Sequence, residues 1–262
     1  PLCHGSWMGS PVFDGARSLK GYAPDLHEHC KRVIRSAKAM LMNPPVNADY
    51  IFNLAVEGIK KLGVGEDIYI RPLIWAERSM GLLRCDPDST KFCLSIIKMP
   101  MPKDKGFTAC TTDYTRPTLK SAPTDAKAAC LYPNGARAMN EASKKGYDNA
   151  VILDPDGNVA EFASSNLFIV KNGTVITPPD NGTYLAGITR NTAMKLFSIM
   201  NIKVEEKNLK IEDLHDADEI LSSGNFGKIM FIKKLDHIDF CKGEFFKKLN
   251  NAYQEYSIDF KI

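Results

Sequence analysis

The sequence predicts an α+β protein. Antiparallel hairpin patterns follow one another without regular strand–helix alternation, and helical segments stand apart from them. A polar stretch at 113–125 carries Pro117 and Pro123 and breaks any period, so it reads as a linker. It divides the chain into a smaller N-terminal α/β block over 1–112 and a larger, β-rich block with helices over 126–262.

In the first block, residues 28–41 place apolar side chains at helical spacing, and 48–61 do so again until Gly63 and Gly65 end the run. Residues 67–76 and 91–99 are rich in β-branched and aromatic side chains and read as strands. The second block opens with a helical stretch over 126–145, closed by Gly146. A strand at 150–153, a Pro155-Asp156-Gly157 turn, a strand at 158–170 and an Asn172-Gly173 turn form a meander. Helical spacing returns over 188–200, directly after Gly187. Strands near 203–207 and 219–222 follow, and a helix over 244–256 closes the chain. The sequence begins Pro1-Leu2-Cys3 without a methionine and reads as lacking a leading segment.

Composition excludes several function classes. With 262 residues, 44% hydrophobic and 25% charged, the chain is in the ordinary globular range. The net charge of +3 is small, and basic residues are interleaved with acidic ones, which argues against a nucleic-acid-binding stripe. No apolar run approaches the roughly 18 residues that span a bilayer. Seven scattered cysteines without a CxxC pair fit a reducing cytoplasm better than a disulfide framework or a zinc site. His27 and His29 diverge at the start of a helix, and metal catalysis is not expected.

The residues that carry chemistry form an ordered set. Lys127 lies among Ala126, Ala128 and Ala129, which leave room for a ligand beside its amine, and Tyr132 follows five residues later. Glu161 and Asn166 come next, then Gly187-Ile188-Thr189 at a helix start, then Ser223-Gly224-Asn225. A lysine that can form a Schiff base, a carboxylate for a ring nitrogen and two glycine-bearing turns for a phosphate suit a phosphorylated pyridine aldehyde. Backbone N–H groups at a helix N-terminus bind phosphate unaided, and a turn can supply a second set. Each residue has a plainer reading too. Glu161 can face outward from its strand, Thr189 can simply cap a helix, and Arg32 can be a helix-surface charge.

In this order the set resembles the class IV aminotransferases, which use pyridoxal 5′-phosphate (PLP), and among them the branched-chain type. The resemblance runs from Gly9 through Phe13-Asp14-Gly15-Ala16-Arg17 to Ser222–Lys228. It implies a fold-type-IV enzyme with a small N-terminal and a larger C-terminal domain and the cofactor in the cleft between them. By resemblance Lys127 holds the cofactor's carbonyl, Tyr132 its phenolate oxygen and Glu161 its ring nitrogen, while Leu185 packs on the ring. Arg32, Gly187, Ile188, Thr189, Ser223, Gly224 and Asn225 correspond to phosphate contacts, Asn225 standing where some relatives have threonine.

Tyr69-Ile70-Arg71-Pro72-Leu73 is similar to the branched-chain subgroup. Candidate ligands for a substrate carboxylate are Tyr69, Arg71 and the backbone amides of Asn225 and Phe226, although Arg71 can equally form a structural ion pair. Phe13, Trp75 and Met8 are candidates for an apolar side-chain pocket. Two positions depart from the subgroup: Met8 replaces a usual tyrosine, and Ser165 replaces an acid. The resemblance implies transamination of an L-branched-chain or similar amino acid with 2-oxoglutarate, in a cytoplasmic homodimer. A D-amino-acid or amine transaminase, an aminodeoxychorismate-type lyase and a catalytically silent PLP-binding protein are the alternatives on the same scaffold.

Overall fold

A computed structural model describes residues 3–103 and 105–262. The chain packs as two units, both discontinuous in sequence: Pro1–Met101 with Pro123–Tyr132 and Tyr256–Ile262, and Pro102–Ala122 with Pro133–Glu255.

The first unit contains, in order, α1 (His4–Met8), β1 (Val12–Phe13), β2 (Ala16–Ser18), α2 (Leu26–Ala39), α3 (Ala48–Leu62), β3 (Ile68–Ala76), the small hairpin β4 (Ser79–Met80) and β5 (Arg84–Cys85), and β6 (Thr90–Lys98). β3 is the spine of a four-stranded antiparallel sheet, with β6 along one edge and β1 and β2 end to end along the other. The pairings Phe13↔Leu73 and Ala16↔Ile70 are in one register, so β1 and β2 are a single strand broken at Asp14-Gly15. The break lies opposite Pro72, whose carbonyl accepts from Asp14 N but which has no N–H to return.

Alternation along β3 buries Ile68, Ile70, Pro72, Ile74 and Ala76 on one face. Leu26, Cys30, Val33 and Ala37 of α2 and Ile51, Ala55 and Ile59 of α3 complete that core. The helical spacing of these residues explains why α2 and α3 form where the sequence places helices. Asn47 caps α3, its side chain accepting from Tyr50 N at 2.8 Å. The opposite face of β3 carries Tyr69, Arg71, Leu73 and Trp75.

The second unit begins with β7 (Phe107–Thr115) and continues through α4 (Tyr132–Lys144, entered from the first unit), β8 (Asn149–Leu153), β9 (Val159–Phe162), β10 (Asn166–Lys171), β11 (Thr174–Thr177), α5 (Ile188–Ile199), β12 (Val204–Glu206), α6 (Ile211–His215), β13 (Glu219–Gly224), β14 (Lys228–Leu235), β15 (Ile238–Asp239) and α7 (Glu244–Ser257). Its sheet has the order β12-β11-β10-β13-β14-β7-β8-β9, with β15 against β14. β9 ends the sheet, yet Ala163–Ser165 alone carry the chain from it to β10, well inside. So short a link requires the sheet to curl back on itself. Phe107, Val151, Phe162, Leu167, Ile220 and Ile232 fill the curl. Antiparallel hairpins and separate helices make the protein α+β, as the sequence predicts.

Three local expectations are corrected. Residues 126–128 are extended, not helical: Ala128 bridges to Val12, Phe13 N donates to Lys127 O, and Ala129 N donates to Pro11 O. A 3-10 turn at Ala129–Leu131 then leads into α4, which has Pro133 in its first turn, where its missing N–H is no loss. Residues 113–115 of the expected linker finish β7. The expected strand at 158–170 is two strands, β9 and β10, separated by the bend at Ala163–Ser165.

Candidate active site

Two groups of polar residues stand out, one in each unit. In the first unit, the extended segment beside β1 fixes Lys127. Ala126 and Ala128 are buried on either side, and Lys127 N donates to Ser36 Oγ at 3.0 Å. The alternation of an extended segment sends the Lys127 side chain the other way. Its Nζ donates to Tyr132 Oη at 2.8 Å and lies 5.2 Å from the centre of the Phe13 ring. Phe13 and Tyr132 pack at 5.0 Å between centroids, so the amine sits in an aromatic notch.

Behind the notch, α2 presents polar residues on its buried stripe. Arg32 donates from Nε to Asp14 Oδ2 at 2.7 Å and from Nη2 to Asp14 Oδ1 at 2.8 Å. His29 Nδ1 lies 2.7 Å from the same Oδ1, and Gly15 N donates to it at 2.7 Å. Burial alone would raise the Asp14 carboxyl, but Arg32 and His29 outweigh it and hold it well below the usual carboxylate range. His29, read from sequence as an ordinary polar residue, is buried at 2% exposure and belongs to this cluster. A histidine three residues before a candidate arginine, on the apolar stripe of an amphipathic helix, is the signal that would have found it.

Tyr69 and Phe13 lie on the sheet face away from α2, with Arg71 exposed on the same face. Burial pushes the Tyr69 hydroxyl up, and Arg71 opposes the shift. A Cβ at Gly15 would collide with Tyr69 Oη, so glycine lets the two pack this closely. Trp75 shares this face, and Met8, half-buried, ends α1.

In the second unit, all four residues of β9 are buried, which turns Glu161 inward. Asn166 Nδ2 donates to Glu161 Oε2 at 3.0 Å, and Arg116 Nε lies 3.0 Å from Oε1. The Arg116 contact is an ion pair too poorly aligned for a hydrogen bond. Arg116 also donates from Nη2 to Ala163 O at 3.0 Å, pinning the bend after β9. Sequence reasoning missed Arg116, which falls within the stretch read as linker. The charge of Glu161 is thus compensated within its own unit.

Asn166 links the remaining members of this group. It pairs with Ser223 across β10 and β13, and its Nδ2 also reaches Leu185 O at 3.3 Å. At Gly187 a Cβ would collide with Asn166 Oδ1, so glycine lets the start of α5 approach this closely. Gly187 caps α5 without a side-chain bond, leaving the amides at Ile188 and Thr189 for another acceptor. Arg190 locks the helix start, donating from Nη2 to Pro178 O at 2.9 Å and to Glu206 Oε1 at 2.7 Å.

The hairpin after β13 adds further donors. Lys228 Nζ donates to Asn225 Oδ1 at 2.7 Å, which fixes the amide and leaves its Nδ2 as the remaining donor. Asn225 Nδ2 and Ser223 Oγ are buried and have no hydrogen-bond partner among the described residues. Orphan donors beside an uncapped helix start suit an anion rich in acceptor oxygens, and a phosphate fits. Phe226, mostly exposed, closes the hairpin beside Asn225. Among the described residues, no group of three or more His, Cys, Asp or Glu side chains could hold a metal, and no helix is long and apolar enough to cross a membrane.

Comparison with known proteins agrees with this chemistry. The family model for amino-transferase class IV matches residues 11–235. An aminotransferase from Brucella abortus, solved bound to PLP, is 44% identical with a TM-score of 0.96, covering 98% of this chain and 92% of its own. The branched-chain amino acid aminotransferase of Escherichia coli is 28% identical with a TM-score of 0.90, over 98% of this chain and 88% of its own. A putative branched-chain-amino-acid aminotransferase of Methanocaldococcus jannaschii is 32% identical over 96% of this chain and 88% of its own length.

Proposed function

The chain belongs to the class IV aminotransferase family, and from that premise we propose that it moves the amino group of an L-branched-chain or similar apolar amino acid to 2-oxoglutarate. It is a PLP-dependent aminotransferase, with an amino acid and a 2-oxo acid as substrates. When bound, PLP supplies a carbonyl that takes up amines and a ring that accepts electrons.

In our reading, Lys127 Nζ would hold that carbonyl and, when free of it, would take a proton from the substrate's α-carbon and return it on the cofactor side. Tyr132 Oη, 2.8 Å from Nζ, orients the amine and holds the cofactor's ring oxygen. Glu161, its position set by Arg116 and Asn166, would hold a proton on the ring nitrogen, and Leu185 would pack on the ring. Arg32, the amides of Ile188 and Thr189, Ser223 Oγ and Asn225 Nδ2 would take the phosphate, with Gly187 and Gly224 in the turns that carry these donors. The substrate's carboxylate meets Tyr69, Arg71 and the Asn225 and Phe226 amides, while Phe13, Trp75 and Met8 face its side chain.

The observation that carries the substrate class is the apolar and carboxylate-binding composition of one sheet face, where Phe13, Leu73 and Trp75 accompany Tyr69 and Arg71. An apolar pocket separates substrates differing by one methylene by only about 1–3 kcal/mol, so leucine, isoleucine and valine should all serve. The test is a panel of L- and D-amino acids and carboxylate-free amines with 2-oxoglutarate, followed by glutamate release. Leucine, isoleucine and valine are expected to lead. A faster D-alanine or amine donor would overturn the substrate reading, and pyruvate release without an amino acceptor would indicate a lyase.

We also infer a cytoplasmic homodimer. All seven cysteines are free, which suits a reducing compartment. The exposed Trp7, Met80, Leu82 and Leu83 give the first unit apolar surface for a second copy. Light scattering should give twice the 29.1 kDa chain mass. A fully active monomer would reject the dimer.

A further inference from the structure

The Asp14 carboxylate is wholly buried, and its two oxygens receive four donors: Arg32 Nε and Nη2, His29 Nδ1 and Gly15 N. A carboxylate only accepts, so the His29 nitrogen facing it carries the hydrogen. This arrangement is puzzling beside a phosphate. Asp14 subtracts from the positive field an anion would feel, and both Arg32 donors along one edge of its fork are spent on it. Only Arg32 Nη1 is left without a hydrogen-bond partner among the described residues.

We propose that Asp14, braced by His29, is a positioning residue that fixes the direction in which Arg32 presents Nη1 to the cofactor's phosphate. This rests on the reading of Arg32 as a phosphate ligand. The fold supplies the brace. The strand β1–β2 breaks opposite Pro72, which turns Asp14 out of the ladder and under α2. His29 and Arg32 are three residues apart, so they share the face of α2 that Asp14 meets. A bidentate pair holds a guanidinium in one plane, which a single point contact does not. Burial would push the Asp14 carboxyl up, but Arg32 and His29 hold it down, so the pair remains ionised.

The direction of the effect makes the proposal testable. Were Asp14 merely neutralising Arg32, Asp14→Asn would strengthen phosphate binding. As a positioning residue, its loss weakens it. The full chain, stripped of cofactor, is titrated with PLP and with pyridoxal, which lacks the phosphate. Asp14→Asn is expected to weaken PLP binding by about tenfold or more, near 1.4 kcal/mol, and to leave pyridoxal binding unchanged. His29→Phe should shift the same ratio by less, and it carries the test if Asp14→Asn does not fold. In an Arg32→Ala background, Asp14→Asn should change the PLP-to-pyridoxal ratio no further. Equal or tighter PLP binding in Asp14→Asn, or an equal loss for both ligands, overturns the proposal. If Arg32→Ala alone leaves the ratio intact, the phosphate reading of Arg32 fails and the proposal falls with it.

Discussion

Lys127→Ala is expected to reduce transamination by a factor on the order of 10³–10⁴ or more while leaving the fold intact. A positioned general acid–base group contributes about 10²–10⁴-fold by itself, and in the proposed mechanism this amine would also hold the cofactor's carbonyl. The backbone around it is secured without its side chain. Lys127 N is bonded to Ser36 Oγ, Lys127 O accepts from Phe13 N, and Ala126 and Ala128 are buried on either side. The side chain is half-buried and makes one hydrogen bond, to Tyr132. Its loss should therefore cost stability only about 1 kcal/mol. A melting temperature lowered by no more than about 2–4 °C, with turnover reduced by that factor, is the expected pair of results. Substantial activity in this variant would remove Lys127 from the chemistry.

The second large effect is expected from Glu161→Gln. Turnover should fall about 10²–10³-fold, as when one preorganised electrostatic contact is removed from an active site. Cofactor retention should change little, because the proposed phosphate donors and Lys127 are untouched. The shape of the side chain is preserved, and Asn166 Nδ2 can still find an amide oxygen. Arg116, however, loses its counter-charge in a setting where both side chains are only 12–13% exposed. Breaking a buried pair costs roughly 3–5 kcal/mol, and partial exposure places this one at the lower end. Stability must be followed beside turnover, so that the chemical loss is read only from folded protein. Near-normal turnover would make Glu161 a structural partner of Arg116 and nothing more.

The parts of the fold legible in the sequence are those set by local periodicity. The apolar stripe of α2 and α3 and the alternation along β3 are repeated patterns with a direct physical cause, and the structure has these elements within a few residues of expectation. The segment at 126–128 was not legible because its conformation is imposed from afar. Its small residues favour a helix, but Val12 and Phe13, more than a hundred residues earlier, pair with it as a strand. Two tertiary bonds there outweigh a local propensity of a few tenths of a kcal/mol per residue.

The site divides the same way. Lys127 and Tyr132, or Glu161 and Asn166, are five residues apart, and their relation can be read along the chain. Asp14 with His29 and Arg32, or Arg116 with Glu161, meet only through packing. Their sequence signals are faint: polar residues on a buried helix stripe, and an arginine in a stretch whose prolines suggest a linker. β14 was hidden for a related reason. Lys233 and Lys234 interrupt its apolar run, and the strand is held by β13 and β7 on either side.

Everything proposed for the chemistry depends on Lys127 being the residue to which the cofactor's carbonyl would be joined. Borohydride reduction of the PLP-loaded protein, followed by digestion and peptide mapping, tests it directly. A single pyridoxyl-modified peptide is expected, carrying the modification on Lys127 and absent from Lys127→Ala. Stoichiometric modification of a different lysine would contradict it.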